Sequence, residues 1–292
     1  MLTHEENELL CRVGPDTPMG QLMRRYWHPF LLIDELLEAD GPPVRVRLLG
    51  EDLKTPLDIR EVIARFVDGS CFEEFKPLFG PTMVCGWASV HGYPVGILGN
   101  NGAIYPDSSQ KAAHFIQLCN QIDTPIIFLQ NVTGFLVGKD FESEGIIKTG
   151  SQMINAVSNS TVPHITIIIG ASYGAGTYAM SGRAYNNRFT FIWPTAKIAV
   201  MGPKQIAGVM SLVRRGAAFR KGEEFDEAED AKIVKLVEQI QEKGSLALAA
   251  TGLISDDGII DPRDTRTVLG FCLSVVRNKA IEGAQSYGVF RL

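Results

Sequence analysis

The chain has 292 residues, 45% of them hydrophobic and 21% charged, with a net charge of −5 and a pI of about 5.6. An acidic balance without a nucleic-acid motif argues against a nucleic-acid partner, and no apolar run reaches the roughly 18 residues of a membrane span. Five scattered cysteines without a C-x-x-C pair argue against disulfide frameworks, zinc ribbons and any bound metal, and the acidic, polar start MLTHEENELL is unlike a leader, so a cytoplasmic setting is expected.

Thr3-x-x-Glu6 forms a capping-box pattern ahead of ELLCRV, and Gly14-Pro15 ends that helix. Asp16-Thr17-Pro18 opens a second helical piece, Gly41-Pro42-Pro43 breaks the chain, and VRVRLLG alternates as a strand. Residues 1–53 therefore read as a short N-terminal arm. Its pieces ENELLCRVGPDTPMG, LMRRYWHP and PPVRVRLLGEDL resemble the lead segment of phthalate-type Rieske oxygenases. That family holds its two-iron cluster with C-x-H and C-x-x-H pairs; neither pair occurs here, so no iron–sulfur cluster is expected.

The pattern changes near residues 53–56, the expected boundary between the arm and a domain over 54–292. A short amphipathic helix covers residues 58–66, and MVCGWASV and YPVGILGNN read as strands joined at His91-Gly92. Residues 106–121 read as a helix with Ala112, Phe115, Ile116, Leu118 and Cys119 turned inward. IIFLQ is a buried strand ending in the loop that holds Thr133, Gly134 and Phe135, and residues 141–158 read as a helix. HITIIIG is an unbroken, β-branched run of the kind buried on both faces. Short strands follow at FTFIW and KIAVMG, then helices from Pro203, over 223–244 and over 263–280. Strands alternating with helices indicate an α/β core.

The stretch after HITIIIG organises the chemistry. In ASYGAGTYAM, Gly174, Ala175 and Gly176 lie between a buried strand and a helix start, an arrangement that presents free backbone N–H groups to an anion or a developing oxyanion. Gly170-Ala171-Ser172-Tyr173-Gly174 also matches the G-x-S-x-G nucleophile elbow, but all five histidines precede Ser172 whereas the triad histidine must follow it. Gly174-Ala175-Gly176-Thr177-Tyr178-Ala179 matches G-x-G-x-x-A, but no acidic residue occurs between Glu144 and Glu223 to hold a ribose. An oxyanion hole of main-chain amides and a tight turn whose glycines only permit close packing both remain open. The acid-free window carries nine cations, from Lys148 to Lys221, and suggests attraction of an anionic ligand or an acidic surface.

The motifs DIREVIARFVDGS, FKPLFGPTMVCGWASVHGYPVGILGNNG, KAAHFIQLCNQ, PIIFLQNVTGFLVG, IIKTGSQMINAVSNSTVPHITIIIGASYGAGTYAMSGRAY, WPTAKIAVMGPKQIAGV and DDGIIDPRDTR, with the terminal GVFRL, resemble the C-terminal half of the carboxyltransferase (β) subunit of biotin-dependent acyl-CoA carboxylases. The likeness is to the branch acting on geranyl-CoA and 3-methylcrotonyl-CoA. It implies a crotonase-like (ClpP/crotonase) α/β spiral of ββα units and transfer of a carboxyl group from carboxybiotin, carried on a biotin carboxylase or carrier partner, to an acyl-CoA. It places an oxyanion hole at Ala175 and Gly176 beside Gly174, the acyl-tuning position at Tyr178, and the biotin approach along Thr133, Gly134 and Phe135. Tyr178, being uncharged, points to an apolar acyl group. A Gly176→Val change is expected to abolish transfer and leave the fold intact. The family assembles as homo-oligomers, and its subunit has an N-terminal half carrying the other oxyanion hole and most of the CoA pocket. This chain is expected to lack that half, so a separate N-terminal carboxyltransferase half is a candidate partner. The alternative is a catalytically incomplete fusion or assembly module.

Overall fold

A computed structural model describes residues 57–288 and 290. The expected N-terminal arm, its helices and strand, and the boundary near 53–56 lie outside these residues.

Helix α1, Ile59–Phe66, begins where the Asp58 carboxylate accepts the Arg60 N–H at 3.0 Å, a side-chain cap for an otherwise unpaired donor. It buries Ile59, Val62, Ile63 and Phe66 along one face. After the short strand β1, Glu73–Glu74, strands β2, Met83–Val90, and β3, Tyr93–Asn100, form a hairpin. Their two-residue turn takes positive φ at both His91 (51°) and Gly92 (78°), the twist that suits adjacent antiparallel strands. The Asp68 carboxylate accepts both turn N–H groups, at 2.9 and 2.7 Å, and pairs with Arg266.

Helix α2, Pro106–Gln121, opens with proline, and the Ser108 hydroxyl accepts the Tyr105 N–H at 2.7 Å. Strand β4, Ile126–Val132, then runs parallel to β3. The helix expected over 141–158 is two helices, α3, Lys139–Ser143, and α4, Ile146–Asn159. Gly145 sits between them at φ 92°, a left-handed conformation that stops one helix and starts the next. Strand β5, His164–Tyr173, is buried along nearly its whole length and pairs in parallel with β4. Helix α5, Ala175–Ala179, follows immediately. Strands β6, Phe189–Ile192, and β7, Lys197–Ala199, then take successive stretches of β5, residues 165–168 and 171–173.

The seven-stranded sheet runs β1-β2-β3-β4-β5-β6 with β7 beside β5. Helices α2 and α4 cover one face, where Met83, Leu98, Phe115, Ile116, Phe128, Met153 and Val157 form the core. On the opposite face Ile59 of α1 packs over Gly99 of β3, where an added Cβ would come 2.7 Å from its side chain. Helices α6, Pro203–Lys221, and α7, Glu227–Ser245, pack on one another; α7 starts later than expected because Asp226 caps it through the Glu229 N–H. Short helix α8, Ala247–Gly252, precedes α9, Thr265–Val276, which ends earlier than expected, with Arg277 as its last capping residue. Leu118 is only half-buried, whereas Lys111 is fully buried beside Glu74, 3.6 Å from its ammonium.

Candidate functional site

Three parallel strands, β3, β4 and β5, end on the same side of the sheet, the side on which open α/β sheets carry ligands. The turn after β5 is built around Gly174, at φ 59° and ψ −142°, a backbone state almost confined to glycine. A side chain there would also come 3.2 Å from the Val200 carbonyl. The Gly174 N–H donates to the Ala199 carbonyl of β7 at 3.1 Å, which pins the turn to the neighbouring strand. Within the turn the Thr177 N–H reaches the Gly174 carbonyl at 3.2 Å, and the Met180 N–H reaches that of Gly176 at 3.0 Å.

The Ala175 and Gly176 N–H groups donate to no acceptor among the described residues. They are the first donors of α5, which no preceding helical turn can satisfy. A five-residue helix adds little dipole, so the donors themselves are the chemical asset. Ala175 is exposed, and Tyr178, one turn on, is 47% exposed with its ring centroid 6.0 Å from that of Tyr185 in an edge-on arrangement.

Gly176 is buried. A Cβ there would stand 2.6 Å from Val132 Cγ2 and 3.1 Å from the Gly134 Cα. The turn and the loop expected to work with it are thus in contact, through Gly134. Close packing and donor supply coexist at Gly176, and the expectation that Gly176→Val leaves the fold intact is corrected: valine must displace Val132 and the loop backbone. Ile104 holds that loop, donating to the Gly134 carbonyl and accepting from the Leu136 N–H, both at 3.1 Å. Thr133 is exposed, and Phe135 turns its ring against Gly150 of α4, where a Cβ would come within 3.0 Å.

Beneath the turn lies a polar layer that motif reading missed. Asn100 clamps the end of β4, accepting the Asn131 N–H at 3.0 Å and donating to the Asn131 carbonyl at 2.6 Å. Asn131 Oδ1 accepts the Ala171 N–H at 3.1 Å, in space left by the absent side chain of Gly170. Ser172 Oγ donates to Gln130 Oε1 at 2.6 Å and lies 2.8 Å from Thr177 Oγ1. Gln130 Nε2 donates to the Met180 carbonyl at 2.7 Å. The signal was the run Gln130-Asn131 closing an apolar strand, since buried amides demand partners.

This layer disposes of the nucleophile reading. Ser172 is fully buried with its hydroxyl engaged, and His164 lies at the other end of β5, its ring nitrogens 2.9 Å from Ser181 Oγ and 2.8 Å from Ser160 Oγ. Burial lowers the His164 pKa to about 4, so the imidazole is neutral. The expected positive field is also reduced. Arg183 pairs with Asp257, Lys197 with Glu242, Arg214 with Asp230, Arg215 with Glu227 and Lys221 with Glu223, so acids C-terminal to the window answer most of its cations. Among the described residues no His, Cys, Asp and Glu cluster could hold a metal, and no helix is long and apolar enough to cross a membrane.

A family model described as the carboxyl transferase domain matches residues 34–288. A Mycobacterium tuberculosis protein named as a probable biotin-dependent acyl-coenzyme A carboxylase beta2 subunit is 58% identical over 248 residues, 85% of this chain and 47% of its own length. The mitochondrial methylcrotonoyl-CoA carboxylase beta chain of Arabidopsis thaliana is 48% identical over 97% of this chain and 47% of its own length. The crystal structure of the P. aeruginosa geranyl-CoA carboxylase beta subunit superposes with a TM-score of 0.72 at 43% identity, covering 82% of this chain and 46% of that one. The chain therefore spans about half the length of the curated relatives it matches. The match reaches back to residue 34, inside the expected arm, and these comparisons lend no support to an oxygenase likeness in residues 1–53.

Proposed function

Because the chain belongs to the carboxyl transferase domain family, we propose that it acts as the carboxyltransferase component of a biotin-dependent acyl-CoA carboxylase. Residues 54–292 form the C-terminal carboxyltransferase domain in this reading. The observation that carries the reading is the pair of adjacent donors at Ala175 and Gly176, which have no acceptor among the described residues. Transfer of a carboxyl group must stabilise negative charge on an oxygen, and each preorganised backbone donor is worth about 3–4 kcal/mol to such a step.

The residues fit the ureido group of biotin. Ala175 is exposed, and a Cβ built on Gly134 would meet nothing, so no side-chain bulk stands at that point of the loop. Carboxybiotin, when bound, supplies the activated carboxyl group. This chain's part is to bind and to hold charge: the Ala175 and Gly176 amides donate to the oxyanion, loop 133–135 flanks the approach, and Tyr178, exposed next to Tyr185, bounds the acyl chain. An aromatic wall supports an apolar, branched acyl-CoA. The free thiols of Cys71, Cys85, Cys119 and Cys272 support a reducing, cytoplasmic setting, and the exposed Leu212, Val213 and Phe219 of α6 support a homo-oligomer. A biotin carrier subunit is the second partner.

The test is reverse transfer. Purified chain is mixed with carboxylated 3-methylcrotonyl-CoA and free biotin. The carboxyl group moves from carbon to a biotin nitrogen, the carbon takes a proton and the nitrogen gives one up. Biotin-dependent formation of 3-methylcrotonyl-CoA is expected, and a folded chain without it contradicts the reading. The greater length of the relatives favours a second reading, in which turnover appears only when the rest of that length is supplied from another segment or chain.

A further inference from the structure

We propose that Gln130 is a positioning residue for the transfer, holding α5 so that the Ala175 and Gly176 donors stay free and in place. The inference rests on the reading of that turn as the oxyanion site. Gln130 itself is fully buried on β4 and reaches no substrate.

A five-residue helix cannot hold its own shape, since one turn of hydrogen bonds barely offsets the cost of ordering it. At its start α5 is fixed by the Gly174 N–H on β7. At its end the carbonyls of Thr177 and Met180 lie beyond any intrahelical partner, and Gln130 Nε2 donates to both, at 3.4 and 2.7 Å. The other end of the same amide, Oε1, accepts the Ser172 hydroxyl at 2.6 Å. Ser172 Oγ in turn lies 2.8 Å from Thr177 Oγ1, which leaves the Thr177 hydroxyl as the donor of that pair. The three side chains make a closed circuit between β4, β5 and α5. The amide orientation is set by it, because a flipped Gln130 would turn Oε1 onto two carbonyls. The next residue, Asn131, has its backbone N–H and carbonyl held by Asn100, so the base of the Gln130 side chain is immobile too.

Two variants of the full chain test this, read by reverse transfer and by amide exchange. Gln130→Met keeps the volume and removes both polar ends. Its kcat is expected to fall about tenfold or more, with KM for the acyl-CoA changed by less than about twofold, because oxyanion donors act on the transition state. Exchange in residues 173–181 is expected to rise while β2, β3 and the rest of β5 stay protected. Gln130→Glu restores the acceptor for Ser172, and burial raises its carboxyl pKa. Its kcat is expected to climb as pH falls, when the protonated carboxyl can donate to Met180, a limb the parent lacks.

Unchanged exchange over 173–181 in Gln130→Met overturns the proposal. So does exchange that rises across the whole sheet, which would mark Gln130 as ordinary core. Locally raised exchange with no loss of kcat in an active parent also overturns it. If the parent shows no transfer while exchange rises only in 173–181, the hold on the turn stands and the carboxyltransferase reading is what fails.

Discussion

The two ends of β5 carry similar chemistry and serve opposite purposes. At the amino end His164 has both ring nitrogens engaged by Ser181 and Ser160, and Asn120 joins the same network through Ser160. Residues near the C-terminus lie across it, the Ala284 N–H donating to Asn120 Oδ1 at 2.9 Å. At the carboxyl end Gln130, Asn131, Ser172 and Thr177 are as thoroughly bonded, yet the turn above them holds two main-chain donors with no acceptor among the described residues. The lesson is that polar residues do not mark the site. A surplus of donors does, and here the surplus is in the backbone.

Three changes break or sharpen that contrast, ordered by their effect on stability. The largest concerns the amino end. His164 is neutral in the fold with a pKa of about 4, against 6.5 for the free side chain. Above pH 6.5 neither state carries the charge and the full stability is present. As pH falls from 6.5 towards 4 the unfolded chain takes up a proton that the fold refuses, so stability falls, by up to about 3 kcal/mol. Denaturant unfolding of the parent and of His164→Gln across that window measures it: the parent should lose more, and equal slopes would remove the sealed imidazole from the account.

Next comes Gly176→Val, which forces methyl groups against Val132 and the Gly134 backbone. A loss of about 2 kcal/mol is expected together with lost transfer, so a melting curve matching the parent's would show that the turn and loop pack less closely than described. The smallest effect on stability belongs to Ala175→Pro. Ala175 is exposed at the first helical position, where proline is tolerated, and its N–H has no partner among the described residues. The change should alter stability by less than about 0.5 kcal/mol.

Much of this architecture was readable in the chain. The β-branched run of β5, the paired strands at His91-Gly92 and the glycine turn after Tyr173 each follow from local pattern, and each appears where pattern puts it. What escaped depends on distant partners. The order of the histidines already argues against Ser172 as a nucleophile, but it does not show that the Ser172 hydroxyl donates to Gln130, 42 residues earlier. The cation-rich window reads as an anion trap until α7 returns Asp230, Glu227 and Glu242 to it. Lys111 of α2 is buried, and the carboxylate beside it comes from Glu74 of β1, itself bound by Arg60, a neighbour that no local pattern shows. The break at Gly145 escaped because apolar spacing continues across it, and only the backbone angle separates the two helices.

The most direct test of the central claim is kcat for reverse transfer in Ala175→Pro, which deletes one main-chain donor and leaves the packed face of the turn untouched. The account predicts a fall of about 10²–10³-fold in a protein that unfolds like its parent. A variant that turns over at the parent's rate would contradict it, because the Ala175 amide would then hold no charge in the reaction.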